Sequence, residues 1–183
     1  MIREMLGIAE GILQDLHNDH NEVATLFERI GDSENGAERS ALFKEMSTKL
    51  LAHAKAEQEV LYSRMENSPS EESRRFALEG TSEHGLIEQQ VQKLSGMSDP
   101  MSDAWAAELK VLEDLIDHHV DEEEDTGFGC ARDDFETEEL EATGDEFQRR
   151  KQRQLASARD YKTVEVCEPY PASRRTSWFK TLF

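Results

Sequence analysis

Two short segments of the chain place a histidine four residues before a glutamate: His53 with Glu57, and His119 with Glu123. On an α-helix this spacing puts the imidazole and the carboxylate on one face, one turn apart. Neutral imidazoles and carboxylates are common ligands of transition metals, so each pair could hold a cation. The two pairs therefore predict a metal site, provided that they point into the protein and not into solvent.

The periodicity of apolar residues indicates which way these side chains point. Apolar residues recur every three or four positions in four segments, as they do on the buried face of a helix. Each series is interrupted by a histidine, or by a histidine and a glutamate, at a core position. These interrupting residues are His20, His53, Glu57, His84, His119 and Glu123. His17 and His118 fall off the series and are expected to face solvent.

The energetic cost of burial favours a shared role for these six residues. A single buried histidine is usually satisfied by one hydrogen bond, and alone it would indicate little. Burying an unpaired polar group costs about 1–3 kcal/mol, and an ionised carboxylate far more, whereas a whole domain is stable by about 5–15 kcal/mol. The six groups must therefore satisfy one another or bind metal. They are too many for one tetrahedral zinc, and imidazoles combined with carboxylates favour a pair of iron ions.

Four helices must position these residues. Turn-rich segments with glycine, proline, serine and asparagine divide the first part of the chain into proline-free helical segments at about 9–30, 39–66, 71–95 and 102–124. Short connections between long helices predict an all-α, antiparallel, up-down-up-down four-helix bundle. At a rise of about 1.5 Å per residue, His20 and His53 lie about 15 and 21 Å from the same bundle end, within about one turn of each other.

The remainder of the chain predicts a small extension of the bundle. Residues 137–155 are expected to form a short fifth helix that covers a bundle face. The interpretation is one domain over residues 1–155 and a C-terminal tail over 156–183, either disordered or docking to a protein partner through Trp178, Phe179 and Phe183.

Composition limits the kind of partner. The chain has 183 residues, a formal net charge of −19 and 33% charged residues, which argues against nucleic acid because phosphates would be repelled. No apolar run approaches the length that spans a membrane, and no signal-peptide pattern opens the chain. The two cysteines, Cys130 and Cys167, have no metal-type spacing. A cytoplasmic protein with neither a nucleic-acid nor a membrane partner is the expectation.

Four motifs in order, NDHNEV, HAKAEQEVLY, SEHGLI and HHVDEEE, resemble those of the hemerythrin-like HHE cation-binding domain family. The resemblance covers roughly residues 10–155. It implies a four-helix bundle holding a non-haem di-iron centre, oxo- or hydroxo-bridged, that binds dioxygen or related small molecules. The implied ligands are the six residues named above, with Glu57 and Glu123 as bridges.

The chain also departs from the family pattern. Hemerythrins proper carry a second histidine on the third helix, where this chain has Glu88. The usual aromatic-proline pair is altered to Tyr62-Ser63 and Phe128-Gly129, so reversible oxygen carriage is less expected than metal binding. Two Fe²⁺ ions with two glutamates and one hydroxide retain positive charge, which a third carboxylate would neutralise. Glu88 is therefore a candidate ligand or ligand partner, with a solvated helix flank as the alternative.

Three classes of function remain open. The first is a di-iron protein that binds or senses dioxygen, nitric oxide, peroxide or iron. The second is an enzyme that reduces peroxide or nitric oxide at the same centre. The third is a metal-free helical interaction module, which six core ligands disfavour. An apolar pocket lining slows proton delivery and favours binding over turnover.

Overall fold

The computed structural model describes residues 11–160, and within that range every regular element is helical. Two of the five rods contain a π-helical turn. The rods are α1 (Ile12–Asp32); α2 (Gly36–Glu57, continued through Gln58–Tyr62 to Ser63–Met65); α3 (Glu71–Ser95); α4 (Asp103–Glu122, continued through Glu123–Gly127 to Phe128–Asp134); and α5 (Thr137–Asp160). This confirms the all-α helical bundle predicted from the sequence.

Polar residues in the connections start the helices where the turn-rich segments end. The Asn35 side chain accepts hydrogen bonds from the backbone N–H of Ala37, at 2.9 Å, and of Glu38, at 3.2 Å. Ser70 and Ser102 cap α3 and α4 in the same way. Such caps satisfy N–H groups that have no partner inside the helix. Because these connections are short, consecutive helices lie side by side and antiparallel.

The fifth helix is longer than the sequence indicated. It was expected to be short, over 137–155, but α5 runs for 24 residues to Asp160 and packs against both α1 and α2. The physical reason is the lack of a helix breaker, since no glycine or proline occurs between Gly144 and Pro169. The rest of the expected tail, including Trp178, Phe179 and Phe183, lies outside the described residues, as does Cys167.

The hydrophobic core consists of two clusters separated along the bundle. One contains the start of α1, the end of α2, Phe128 and Phe147, and the other contains the end of α1, the start of α2 and Trp105. The buried histidines and glutamates lie on the helices between the two clusters. For example, His20 lies between Leu16 of the first cluster and Val23 of the second. The fold thus places one polar layer between two apolar ones.

Both π-helical turns lie next to that polar layer. The first begins directly after Glu57, and the second begins at Glu123. A π-helical turn inserts one extra residue into an α-helix and is frequent at functional sites. None of the helices that the structure describes combines the length and the apolar composition needed to cross a bilayer.

Candidate metal centre

The six residues singled out from the sequence are all buried and lie in one layer of the bundle. Glu57 has no exposed surface, Glu123 is 1% exposed, and the four histidines are between 4% and 9% exposed. They fall into two groups whose ligand atoms all lie within 4.8 Å of one another: His20, His53 and Glu123, and Glu57, His84 and His119. All four bundle helices contribute to the layer, as the apolar periodicity predicted.

Each glutamate lies close to one histidine of its own helix and to one histidine of another helix. Oε2 of Glu57 lies 3.5 Å from Nε2 of His53 on the same helix and 3.5 Å from Nε2 of His84 on α3. Oε2 of Glu123 lies 3.8 Å from Nε2 of His119 on its own helix and 3.1 Å from Nε2 of His20 on α1. Both carboxylates therefore lie between two pairs of histidines, His20 with His53 and His84 with His119.

The Nε2 atoms of the histidines point toward this shared space, and the Nδ1 atoms of three of them are held by carboxylates. Nδ1 of His20 lies 2.8 Å from Glu124, Nδ1 of His53 lies 3.1 Å from Asp19, and Nδ1 of His119 lies 2.8 Å from Glu83. A carboxylate accepts hydrogen bonds, so Nδ1 carries a proton, and Nε2 is the nitrogen left to bind a cation once it is unprotonated. That is the tautomer a metal ion requires, oriented by a hydrogen bond behind the ring.

Sequence reasoning missed these three carboxylates, which lie off the buried helical face. Asp19, Glu83 and Glu124 each adjoin a buried site residue in the sequence. Each one pairs not with the histidine of its own helix but with that of another helix. The sequence signal for them is a carboxylate next to a buried site residue, as in Asp19-His20, Glu83-His84 and Glu123-Glu124.

His84 differs from the other three histidines. Its Nδ1 is buried without a hydrogen-bond partner, and its ring stacks on Tyr62 at a centroid distance of 5.5 Å and an angle of 13°. The Tyr62 hydroxyl lies 3.5 Å from Oε1 of Glu123. Gly80 makes room for this tyrosine, because a Cβ there would lie 2.7 Å from the ring. The sequence had marked Tyr62 only as a departure from a family pattern, but it packs against the centre.

The fifth helix also contacts the surroundings of the centre. Lys151 of α5 is 8% exposed and donates a hydrogen bond to Asp19, the carboxylate that holds His53. Phe147, one turn earlier, packs edge-on against the His53 ring at 5.7 Å. One imidazole is therefore fixed by groups from both α1 and α5.

Burial sets the protonation of these side chains. Burial raises the pKa of Glu57 well above its ordinary value, and the charge of Glu123 acts in the same direction. Burial also raises the pKa of Glu123, but hydrogen bonds with Glu57 and His20 outweigh it and hold that pKa below its ordinary value. Without a cation, the two carboxylates are therefore expected to share one proton.

Burial, with the nearby His119, lowers the pKa of His84 well below its ordinary value. The ring of His84 is therefore neutral near pH 7. A neutral imidazole is the form that binds metal, because its free nitrogen must have lost its proton.

Glu88 does not belong to this layer, which agrees with the alternative of a solvated helix flank and not with a role as ligand or ligand partner. Its side chain is exposed and accepts a hydrogen bond from Gln92 at 3.1 Å. The physical reason is the orientation of α3, which buries His84, Ile87 and Val91 and turns Glu88 about 100° away from Ile87. His17 and His118 are at the surface as expected, with 45% and 61% of their side chains exposed.

Comparison with known proteins places this geometry in a family. The model of the hemerythrin HHE cation-binding domain matches residues 11–131. The chain belongs to the hemerythrin HHE cation-binding domain family. This membership, together with the two groups of buried histidines and glutamates, indicates metal binding. The HHE match ends before α5, although Lys151 and Phe147 of that helix contact the centre's surroundings.

One curated relative is similar to this chain. A protein named DNA nickase from Nostoc sp. (strain PCC 7120 / SAG 25.82 / UTEX 2576) is 29% identical over 142 residues. The match covers 77% of this chain but only 39% of that relative, so the chain spans about two fifths of its length. No solved structure shows a significant match.

Proposed function

We propose that this chain holds two iron ions in the buried layer and binds a small molecule such as dioxygen, nitric oxide or peroxide there. His20 and His53 would hold one ion, and His84 and His119 the other. Glu57 and Glu123 would bind both. The observation that carries the proposal is the position of each glutamate Oε2, which lies 3.1–3.8 Å from imidazole nitrogens of both pairs.

The fit of the residues to cations supports the proposal. Five buried atoms of the six layer residues have no hydrogen-bond partner: Nε2 of His20, both carboxylate oxygens of Glu57, Oε2 of Glu123, and Nδ1 of His84. Leaving a buried polar group unsatisfied costs about 1–3 kcal/mol, and more for a charged one. Nε2 of His84 and Nε2 of His119 also face each other at 3.0 Å. Cations between these groups would satisfy the carboxylate oxygens and the Nε2 atoms at once.

Iron is favoured by the mixture of ligands. Four imidazoles and two carboxylates, shared between two ions, leave coordination positions open for a further ligand. When bound, iron would supply reversible redox chemistry and an open position for a small molecule. The protein's own part is to orient three of the imidazoles through Asp19, Glu83 and Glu124, and to enclose the layer between two apolar clusters.

A small cavity beside the histidines limits the size of the ligand. Its volume is about 20 Å³, room for roughly one water-sized molecule. It is lined by the four histidines, Asp19 and five apolar side chains: Val23, Leu50, Ile87, Ile116 and Val120. Asp19 is already engaged with Lys151 and His53. With no free acid or base in this lining, we infer binding or sensing in preference to turnover.

The name of the Nostoc relative does not extend to this proposal. That protein is called a DNA nickase, but this chain covers 39% of it. The formal net charge of −19 would repel a phosphate backbone. We therefore propose no nucleic-acid partner for this chain.

The experiment is anaerobic reconstitution with Fe²⁺, followed by separate exposure to dioxygen, nitric oxide and peroxide while the visible spectrum is recorded. Reversible binding predicts an absorption band that appears with the gas and disappears when the gas is removed. Consumption of peroxide or nitric oxide over many turnovers would assign an enzyme instead. Failure to retain iron under reducing conditions would refute the proposal.

A further inference from the structure

A second group of metal-ligating side chains lies at the surface, outside the buried layer. Nε2 of His118 lies 3.5 Å from Oε1 of Glu83 and 3.7 Å from Oε1 of Glu122. The three ligand atoms all lie within 4.8 Å of one another. His118 and Glu122 are one turn apart on α4, so they repeat the His-x-x-x-Glu spacing of His119 and Glu123 one position earlier.

The two distances from His118, 3.5 and 3.7 Å, are close to those between ligands of a single divalent cation. First-row cations bind imidazole nitrogen and carboxylate oxygen at about 2.0–2.2 Å. Ligand atoms that share such an ion in tetrahedral or octahedral arrangement therefore lie about 3–3.6 Å apart. Two helices supply the ligands, and His118 and Glu122 are 61% and 45% exposed, so an ion in solution can reach them.

Glu83 distinguishes this group from an ordinary surface ion pair. Its side chain is only 18% exposed, and its Oε2 accepts a hydrogen bond from Nδ1 of the buried His119 at 2.8 Å. Its other oxygen, Oε1, faces His118. Oε2 of Glu83 is thus bound to a buried residue, while Oε1 faces the surface group. The carboxylate is already oriented before a cation arrives, which reduces the entropy lost on binding.

The surface next to the group favours cations. A groove of about 490 Å³ is lined by Glu71, Glu72, Arg75, Phe76, Glu79, Glu122 and Thr126. Four carboxylates and one guanidinium give it a net negative charge, which raises the local concentration of cations. Glu122 belongs to both the groove and the surface group. A cation drawn into the groove therefore meets this group.

We propose that Glu83, His118 and Glu122 form a second, solvent-accessible site for a divalent first-row cation, and that this site captures metal destined for the buried layer. One imidazole and two carboxylates, with the remaining positions left to water, make a weak and exchangeable site. The capture role rests on the proposed di-iron function, whereas the cation site itself does not.

The site is tested by titration of the full-length protein with Mn²⁺, in which free Mn²⁺ is followed by electron paramagnetic resonance. The double variant His118→Gln/Glu122→Gln is expected to bind one equivalent less than the wild type, or to bind it at least about tenfold more weakly. The control Glu28→Gln removes one exposed carboxylate from α1, which is the same change in formal charge, and is expected to match the wild type. Equal Mn²⁺ binding by all three proteins would overturn the site.

The capture role is tested by stopped-flow mixing of metal-free protein with limiting Fe²⁺ in the absence of oxygen. The double variant is expected to load the buried layer several-fold more slowly, by about fivefold, with the same final iron content. Unchanged loading in a variant that has lost Mn²⁺ binding would overturn the capture role and leave the site standing. If the buried layer took up no iron in any protein, the di-iron proposal would fail, while the Mn²⁺ difference would still decide the surface site.

Discussion

Lys151 of α5 and Asp19 of α1 form a buried ion pair, and the same aspartate holds Nδ1 of His53. Both residues are less than 10% exposed. A helix that lies beyond the matched family domain is thereby connected to one of the candidate ligands. The bundle and the fifth helix are best understood as one structural unit around the centre.

The first prediction concerns this pair. Lys151→Met leaves the carboxylate of Asp19 buried without its cation, and losing one partner of a buried pair typically costs about 3–5 kcal/mol. Urea unfolding of the metal-free protein measures the loss. Arg153→Met, on the same helix but 66% exposed, is the control and should change stability by less than about 0.5 kcal/mol. Similar, small effects of both variants would show that the pair contributes little.

The second prediction concerns the two glutamates between the histidine pairs. Glu57→Gln or Glu123→Gln removes the charge that would bind both ions, so each variant is expected to retain at most one iron per chain. Glu88→Gln is the control and should retain two, because Glu88 is exposed and bound to Gln92. Iron is counted by a colorimetric chelator assay after anaerobic gel filtration. Two irons in a Glu57→Gln protein would contradict the assigned role of that residue.

The third prediction concerns the hydrogen bond behind one imidazole. Glu124→Gln weakens the acceptor that holds Nδ1 of His20, and loss of such a partner typically lowers metal affinity about 10–100-fold. Competition with a chelator of known affinity measures this change. Asp125→Asn, at the adjacent exposed position, is the control. Equal affinities of the two variants would show that Glu124 does not orient the ring.

The fourth prediction concerns the space occupied by Tyr62. A Cβ at Gly80 would lie 2.7 Å from the Tyr62 ring, so Gly80→Ala must displace the ring from His84. Overpacking of this kind costs about 1–3 kcal/mol. Gly85→Ala on the same helix meets nothing within 4 Å and should stabilise α3 by up to about 1 kcal/mol. Thermal unfolding of both variants checks the opposite signs, and equal signs would contradict the packing described here.

The buried layer could be predicted from the sequence because it depends on helical periodicity alone. His20, His84 and the two His-x-x-x-Glu pairs each interrupt an apolar series, and such a series has one buried direction. Glu88 was a candidate because its position is near that direction and a third carboxylate would balance the charge, but Ile87 is the buried residue and Glu88 is exposed.

The supporting residues could not be predicted in the same way. Asp19, Glu83 and Glu124 lie beside the buried face. Whether each one contacts a histidine depends on how close the neighbouring helix lies. The π-helical turn at Glu123–Gly127 also changes the direction of side chains after Glu123, which a regular period does not anticipate. Lys151 lies on a helix that was expected to cover a bundle face, but its contact with Asp19 depends on how that helix docks, so it was not foreseen.

The most direct test of the central claim is a crystal structure of the iron-reconstituted protein with anomalous diffraction recorded at the iron absorption edge. We expect two anomalous peaks in the buried layer, one within coordination distance of His20 and His53 and one within coordination distance of His84 and His119. Both peaks should lie within reach of Glu57 and Glu123. A well-ordered layer with no peak, or with iron bound only elsewhere on the protein, would contradict the di-iron account.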